Sequence, residues 1–159
     1  MKIGIFVHSQ SGNTAKLGLA VTHALREKGH EVSIELLRPL GKVHPRVRHV
    51  EFRNMPEPEE YDIVIFGGPI WAFSPSPVLV SLLKQLPTLK GKKALCFSTS
   101  GFPTAFSGAK RAISRLNELC EGLGATVLPS VALFWGFYCG KKRLDKTVEE
   151  ICSKIKDEG

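Results

Sequence analysis

Between a short apolar run and the first amphipathic stretch, the chain reads Ser9-Gln10-Ser11-Gly12-Asn13-Thr14. Ser9, Ser11 and Thr14 offer hydroxyl donors, Asn13 an amide, and Gly12 lacks the Cβ that would crowd a ligand. With a strand before it and a helix after it, such a loop points its backbone N–H groups at one spot. The free N–H groups of the helix's first turn point there too, and the helix dipole favours an anion at the same place. The loop holds no lysine, and neither G-x-x-x-x-G-K-[ST] nor G-x-G-x-x-G occurs. The pattern therefore fits a single phosphate monoester better than a triphosphate with magnesium or a dinucleotide. An ordinary strand-to-helix turn, capped by Asn13 or Thr14, is the plainer alternative.

The elements that must position this loop follow from periodicity. Residues 2–7 form an apolar, β-branched run of strand length. Residues 15–28 carry Leu17, Ala20, Val21, Ala24 and Leu25 on one helical stripe, with a stop at Lys28-Gly29. Residues 31–37 read as a strand. Residues 38–60, broken by Pro39, Pro45, Pro56 and Pro58, read as a long irregular excursion with at most a short helical turn. Residues 61–68 are continuously apolar, as in a central parallel strand covered on both faces. After a loop at 69–77, residues 75–86 suit a helix with proline in its first turn. Residues 93–98 are a strand, 100–106 a loop and 107–121 a helix. A fifth strand spans 125–134, and 141–156 a closing amphipathic helix with Leu144, Val148, Ile151 and Ile155. Strands alternating with helices predict a parallel sheet wound on both faces. Ligands of such sheets sit off the carboxyl ends of the strands. That rule singles out the segments at 9–14, 69–77 and 98–106.

The chain has 159 residues and a formal charge of +7. That length suits one domain, 1–159, burying roughly two thirds of the surface its unfolded chain would expose. No stretch approaches the ~20 apolar residues of a membrane span, and Met1-Lys2 leads straight into a strand, so a cytoplasmic location is expected. Cys96, Cys120, Cys139 and Cys152 are far apart and read as buried thiols. Cys139 follows the last strand on the ligand side. The histidines lack ligand spacing, and no metal is assigned.

Ser9-Gln10-Ser11-Gly12-Asn13-Thr14 resembles the [ST]-x-[ST]-G-x-T loop by which flavodoxins and flavodoxin-like reductases hold the phosphate of FMN. Gly67-Gly68-Pro69-Ile70-Trp71-Ala72-Phe73 is similar to the flavodoxin G-x-P-x-W segment, whose aromatic residue stacks on the isoalloxazine ring. A flat tricyclic ring needs aromatic walls and a few backbone hydrogen bonds to its edges. Trp71 and Phe73 offer walls, and packing under the loop is the alternative, more so for Phe73. The third segment, Ser98-Thr99-Ser100-Gly101 with Phe102 and Phe106, falls where flavodoxins hold the other ring face and the pyrimidine edge. The resemblance thus covers the whole chain and implies a flavodoxin-like three-layer α/β sandwich. Its five-stranded parallel sheet has order 2-1-3-4-5, with helices on both faces and FMN at the switch between strands one and three. Ser9, Gln10, Ser11, Gly12, Asn13, Thr14, Pro69, Ile70, Trp71, Ala72, Phe73, Ser98, Thr99, Ser100, Gly101, Phe102 and Phe106 are the implied FMN contacts.

Two departures bear on mechanism. No Asp or Glu occurs between Asp62 and Glu118, an interval holding Lys84, Lys90, Lys92, Lys93, Lys110, Arg111 and Arg115. Acidic flavodoxins surround the ring with carboxylates that resist the second electron. Without them, two-electron reduction is easier, unless the lysines merely solvate distant helix faces. Trp71 is followed by Ala72 rather than glycine, which raises the cost of a positive-φ peptide and implies a weaker one-electron state.

The excursion carries Arg38, Lys42, His44, Arg46, Arg48, His49 and Arg53. It could solvate a loop, dock an acidic redox partner or grip a nicotinamide nucleotide. It lacks the interleaved aromatics and motifs of a nucleic-acid binder. Three functions follow. One is an FMN carrier of electrons between partner proteins, narrowly preferred because the chain offers no second nucleotide domain. The others are an NAD(P)H-dependent FMN oxidoreductase of the quinone reductase type and a flavin-free phosphate-binding domain. Substrate-specific acid–base residues are not evident.

Overall fold

A computed structural model describes residues 1–101, 108–136 and 140–156. In chain order the elements are β1 (Lys2–Val7), α1 (Asn13–Glu27), β2 (Glu31–Leu36), β3 (Ile63–Trp71), β4 (Ser74–Pro75) and α2 (Pro77–Gln85). They continue as β5 (Lys93–Ser100), α3 (Ala109–Gly122), β6 (Thr126–Val127), β7 (Val131–Phe134) and α4 (Lys141–Lys154).

The main strands pair in parallel in the order β2-β1-β3-β5-β6, with β7 also on β5. The expected fifth strand is thus two short ones along the same neighbour. Pro129 lies in the gap between them, where a residue without an N–H cannot extend a ladder. With the two counted as one, this is the expected 2-1-3-4-5 order, and β4 is an addition.

Side-chain alternation explains why the central strands are apolar throughout. Ile3, Ile5 and Val7 of β1, with Ile63 and Ile65 of β3, pack against Leu17, Val21 and Leu25 of α1 and Val148 and Ile151 of α4. Phe6, Val64 and Phe66 point to the opposite face, among Leu79, Leu82 and Leu83 of α2 and Leu116 of α3. Each such fully buried side chain is worth roughly 1.5–3 kcal/mol of transfer free energy.

The excursion at 38–60 is irregular, as expected, and contains no helix. Its two limbs meet at an antiparallel bridge between Pro39 and Phe52, where Leu40 N–H donates to the Glu51 carbonyl at 2.7 Å. Val50 is buried and clips the excursion to α2: its N–H donates to Ser81 Oγ at 2.8 Å, and its carbonyl accepts from Gln85 Nε2 at 2.7 Å.

β3 departs from expectation. It runs through Pro69 to Trp71 instead of ending at Gly68, and turns back tightly into β4, with Trp71 opposite Ser74 and Ile70 opposite Pro75. β1 pairs with β3 only as far as Gly67, so beyond it that side of β3 needs no donor, and Pro69 is tolerated. On its other side β3 keeps β5 to Pro69–Thr99.

Candidate functional site

Because β1, β3 and β5 are adjacent and parallel, the segments after them open at one edge of the sheet. The chain moves to β2 on one side of β1 and to β3 on the other, so this edge is a switch point.

The loop between β1 and α1 is built for an anion. Gly12 sits at φ +92 and serves as N-cap of α1, and a Cβ built on it would meet nothing within 4 Å. The space beside Gly12 is therefore open. Ser9 Oγ accepts from the N–H groups of Gly12 and Ala15, both at 3.2 Å, which leaves its own proton to donate outward. Asn13 and Thr14 are the first two residues of α1, so their N–H groups lack intrahelical partners. No acidic residue occupies the first turn. These donors fit a phosphate group. The Thr14 side chain is buried, and its Oγ1 shares a 2.8 Å hydrogen bond with Thr99 Oγ1 of β5. It ties the loop to the sheet.

The two candidate wall residues differ in burial from expectation. Trp71 is half-buried, its ring set edge-on to His8 with centroids 5.1 Å apart and planes at 81°. Phe73, expected to be the more core-like of the two, is 64% exposed. The reason is the tight turn, which swings residues 72 and 73 out past the end of the sheet. Ala72 and Phe73 have φ of +48 and +65, both in the left-handed region. Two such residues between paired strands match a type I′ turn, whose usual occupants are Asn and Gly. Ala and Phe there store strain. The turn is braced from behind by Gly108, the N-cap of α3 at φ +75, whose missing Cβ would lie 2.5 Å from the Phe73 carbonyl oxygen.

Ser98, Thr99 and Ser100 are buried in β5, which runs two residues beyond its expected end at Ser98. Their backbone continues the pairing with β3 and then β7, whose partners reach Ser100–Phe134. Gly101 is exposed at the strand's end. Pro69 and Ile70 are half-buried in β3. Phe102, Phe106 and Cys139 lie outside the described residues.

His8, which directly precedes the loop, is not among the contacts that the resemblance implies. It is 5% exposed, its N–H donates to the Gly67 carbonyl at 2.9 Å, and its Nδ1 lies 2.7 Å from Ser76 Oγ. Burial lowers its pKa to about 4, so the imidazole is neutral near pH 7. Nothing local predicts the Ser76 contact, because the partners are 68 residues apart.

A groove of about 480 Å³ joins these parts, lined by His8, Ser9, Gln10 and Trp71 and, from the end of β2 into the excursion, by Leu37, Pro39, Gly41, Lys42 and Val43. Lys42 is its one cation among the described residues, and no carboxylate lines it. Lys93, by contrast, starts β5 at the opposite edge of the sheet. β5 has eight residues, so at ~3.3 Å per residue Lys93 is roughly 23 Å from the site edge, beyond a Debye length of ~8 Å. Lys92 is engaged at that same far edge, donating to the carbonyls of Glu59 and Tyr61 at 2.7 and 2.6 Å. These two lysines do not act on a ligand at the switch point.

Comparison with known proteins agrees with this geometry. Residues 1–139 match the family model described as NADPH-dependent FMN reductase. An NAD(P)H dehydrogenase (quinone) from Archaeoglobus fulgidus is 31% identical over 103 residues, covering 57% of this chain and 52% of that protein. The match thus spans about half the length of that relative. Among solved structures, oxidised flavodoxin 1 from Bacillus cereus superposes with a TM-score of 0.71 at 20% identity, covering 100% of both chains. A Streptococcus pneumonia TIGR4 flavodoxin does so with a TM-score of 0.70 at 18% identity, covering 98% of this chain and 100% of that one. The fold is flavodoxin-like, with a helix pair on each face of the sheet.

Proposed function

This chain belongs to the NADPH-dependent FMN reductase family, and from that membership we propose that it is an FMN-dependent oxidoreductase. It takes electrons in pairs from a reduced nicotinamide nucleotide and passes them to a quinone or similar acceptor. FMN supplies the redox chemistry when bound. The protein's part is to hold, orient and surround it. The backbone N–H groups at 9–14, with the outward hydroxyl of Ser9, hold the phosphate. Trp71, fixed by His8, offers one wall to the ring. Phe73, exposed on the braced turn, offers the ring a second wall.

The observation that carries the two-electron reading is the charge at the groove, which has Lys42 and no carboxylate among its described lining residues. Such a setting favours negative charge accumulating on a ligand, where a ring of carboxylates would oppose it. The name of the Archaeoglobus fulgidus relative supports the choice of donor and acceptor.

A second reading is an electron carrier docking an acidic partner protein, and a different observation favours it. Among the described residues none of the four helices has an acidic first turn, while Lys110 and Arg111 open α3 and Lys141 and Lys142 open α4. Cations at helix starts oppose the dipole and cost about 0.3–1 kcal/mol each. A cationic rim kept against that cost suits an anionic partner.

Anaerobic titration of the FMN-loaded protein with NADPH separates the two readings. Complete bleaching of the flavin by one equivalent, followed by quinone-dependent turnover, is the expected result. A flavin inert to both NADPH and NADH, yet reducible by a one-electron donor, would overturn it in favour of the carrier.

A further inference from the structure

We propose that His8 is a cofactor-binding residue, donating a hydrogen bond from Nε2–H to an oxygen of the phosphate-and-ribityl chain of FMN. The inference rests on the FMN reading above and adds to it a residue outside the phosphate loop. Three observations support it.

The first is the tautomer. Ser76 is the N-cap of α2, and its Oγ accepts the Leu79 N–H at 3.3 Å. Ser76 is 1% exposed, so its own hydroxyl proton needs an acceptor inside the protein. His8 Nδ1, at 2.7 Å, is that acceptor. A neutral imidazole that accepts at Nδ1 carries its proton on Nε2.

The second is direction. His8 Nε2 has no partner among the described residues, and none of their side-chain nitrogens or oxygens is both fully buried and unpaired. The residue is 95% buried overall, and it lines the groove beside Ser9 and Trp71. Its free N–H is therefore open to solvent, at a residue that lines the groove.

The third is placement. His8 directly precedes the loop that suits the phosphate, and its ring touches the edge of Trp71, the candidate wall for the isoalloxazine. The polyol chain of FMN has to link those two points, and it offers hydroxyl and phosphate oxygens as acceptors. Burial supports the assignment by keeping the imidazole neutral well below pH 7, so that its role is donation rather than ion pairing.

Flavin binding by the whole chain tests the proposal, read by quenching of flavin fluorescence with FMN and riboflavin in parallel. His8→Phe keeps an aromatic ring against Trp71 and removes the donor. It should weaken FMN binding roughly 10–100-fold, the range for a lost donor in a desolvated site. His8→Gln, whose Nε2 can reach the same region, should recover part of that loss. Equal losses for FMN and riboflavin assign the bond to a ribityl hydroxyl, and a loss confined to FMN assigns it to the phosphate. Wild-type protein that binds FMN while His8→Phe binds it within twofold would overturn the proposal and leave the FMN reading intact. Because His8 is buried and a variant can fail to fold, long-range 15N–1H correlation on the wild-type protein supplies an independent readout. The expected result is a proton on Nε2 whose shift moves when FMN is added. A proton on Nδ1, or an Nε2–H indifferent to FMN, would overturn it.

Discussion

The two ends of the candidate site are built on opposite principles. At the phosphate end, the positive φ that the loop requires falls on Gly12, with open space beside it and no strain. At the ring end, the positive φ values fall on Ala72 and Phe73, and a separate element has to brace the turn. One end is made by choosing the residue that suits the backbone. The other holds two residues that carry side chains, Ala72 and Phe73, in a backbone conformation that suits glycine. Gly at position 73 would relax the turn and remove the exposed aromatic surface. On the proposed FMN reading, the ring end gives up stability for a wall, as strained functional segments do, whereas the phosphate end gives up almost none.

The brace gives the largest test. Gly108→Ala would place a Cβ 2.5 Å from the Phe73 carbonyl oxygen and put alanine at φ +75. Strain and overpacking together should destabilise the protein by about 3–4 kcal/mol, measured by urea unfolding with and without FMN. Because the turn moves with its support, FMN should also bind more weakly. A variant as stable as wild type would mean that the turn holds itself, and the contrast between the two ends would vanish.

His8 lies between the ends, and its titration gives the next effect. Its pKa is lowered by burial from 6.5 to about 4 in the folded protein. Between those values the unfolded chain binds a proton that the folded chain does not, so stability rises with pH across the window. The contribution is complete above pH 6.5, is lost as pH falls towards 4, and is flat below. At ~1.4 kcal/mol per pKa unit, the loss amounts to about 3 kcal/mol. Unfolding free energies of wild type and His8→Gln, compared from pH 7 down to pH 4, should converge by that amount. Parallel curves would place the imidazole in contact with water.

The same contrast explains what could be read beforehand. The phosphate end is local: a strand, a hydroxyl-and-glycine loop and a helix follow one another, so residues 9–14 were legible as a unit. The sheet order was legible because alternation and continuous apolarity report burial on two faces. The ring end is not local. Ala72-Phe73 carries no turn signal, since the usual Asn-Gly is absent, and the turn exists because β3 stays paired to β5 while Gly108 makes room behind. His8 was legible as a neighbour of the loop but not as a partner of Ser76, which the fold brings from 68 residues away. The basic interval could be counted but not placed, and β5 puts Lys93 at the wrong edge. Cys96 and Cys120 likewise meet only in the fold, with sulfurs 3.9 Å apart and fully buried.

The smallest effect is the most discriminating, because it should have opposite signs at the two ends. Gly12→Ala meets no steric obstacle, yet it places alanine at φ +92, which should cost about 1–2 kcal/mol. The paired change Ala72→Asn with Phe73→Gly installs the residues a type I′ turn prefers, and should stabilise the protein without flavin by about 1 kcal/mol. Removing Phe73 forfeits little burial in that state, because the side chain is 64% exposed. Flavin binding separates the ends again. Gly12→Ala should lower affinity for FMN more than for riboflavin, since it disturbs only the phosphate cradle. The turn variant should lower affinity for both alike, since the wall it loses faces the ring they share. Thermal unfolding and flavin fluorescence on the same two variants would read both signs. If the turn variant were less stable than wild type, the positive φ values would not be a cost carried for the aromatic wall. Phe73 would then be contributing to the fold itself, and the ring end would have to be understood as packing first and binding second.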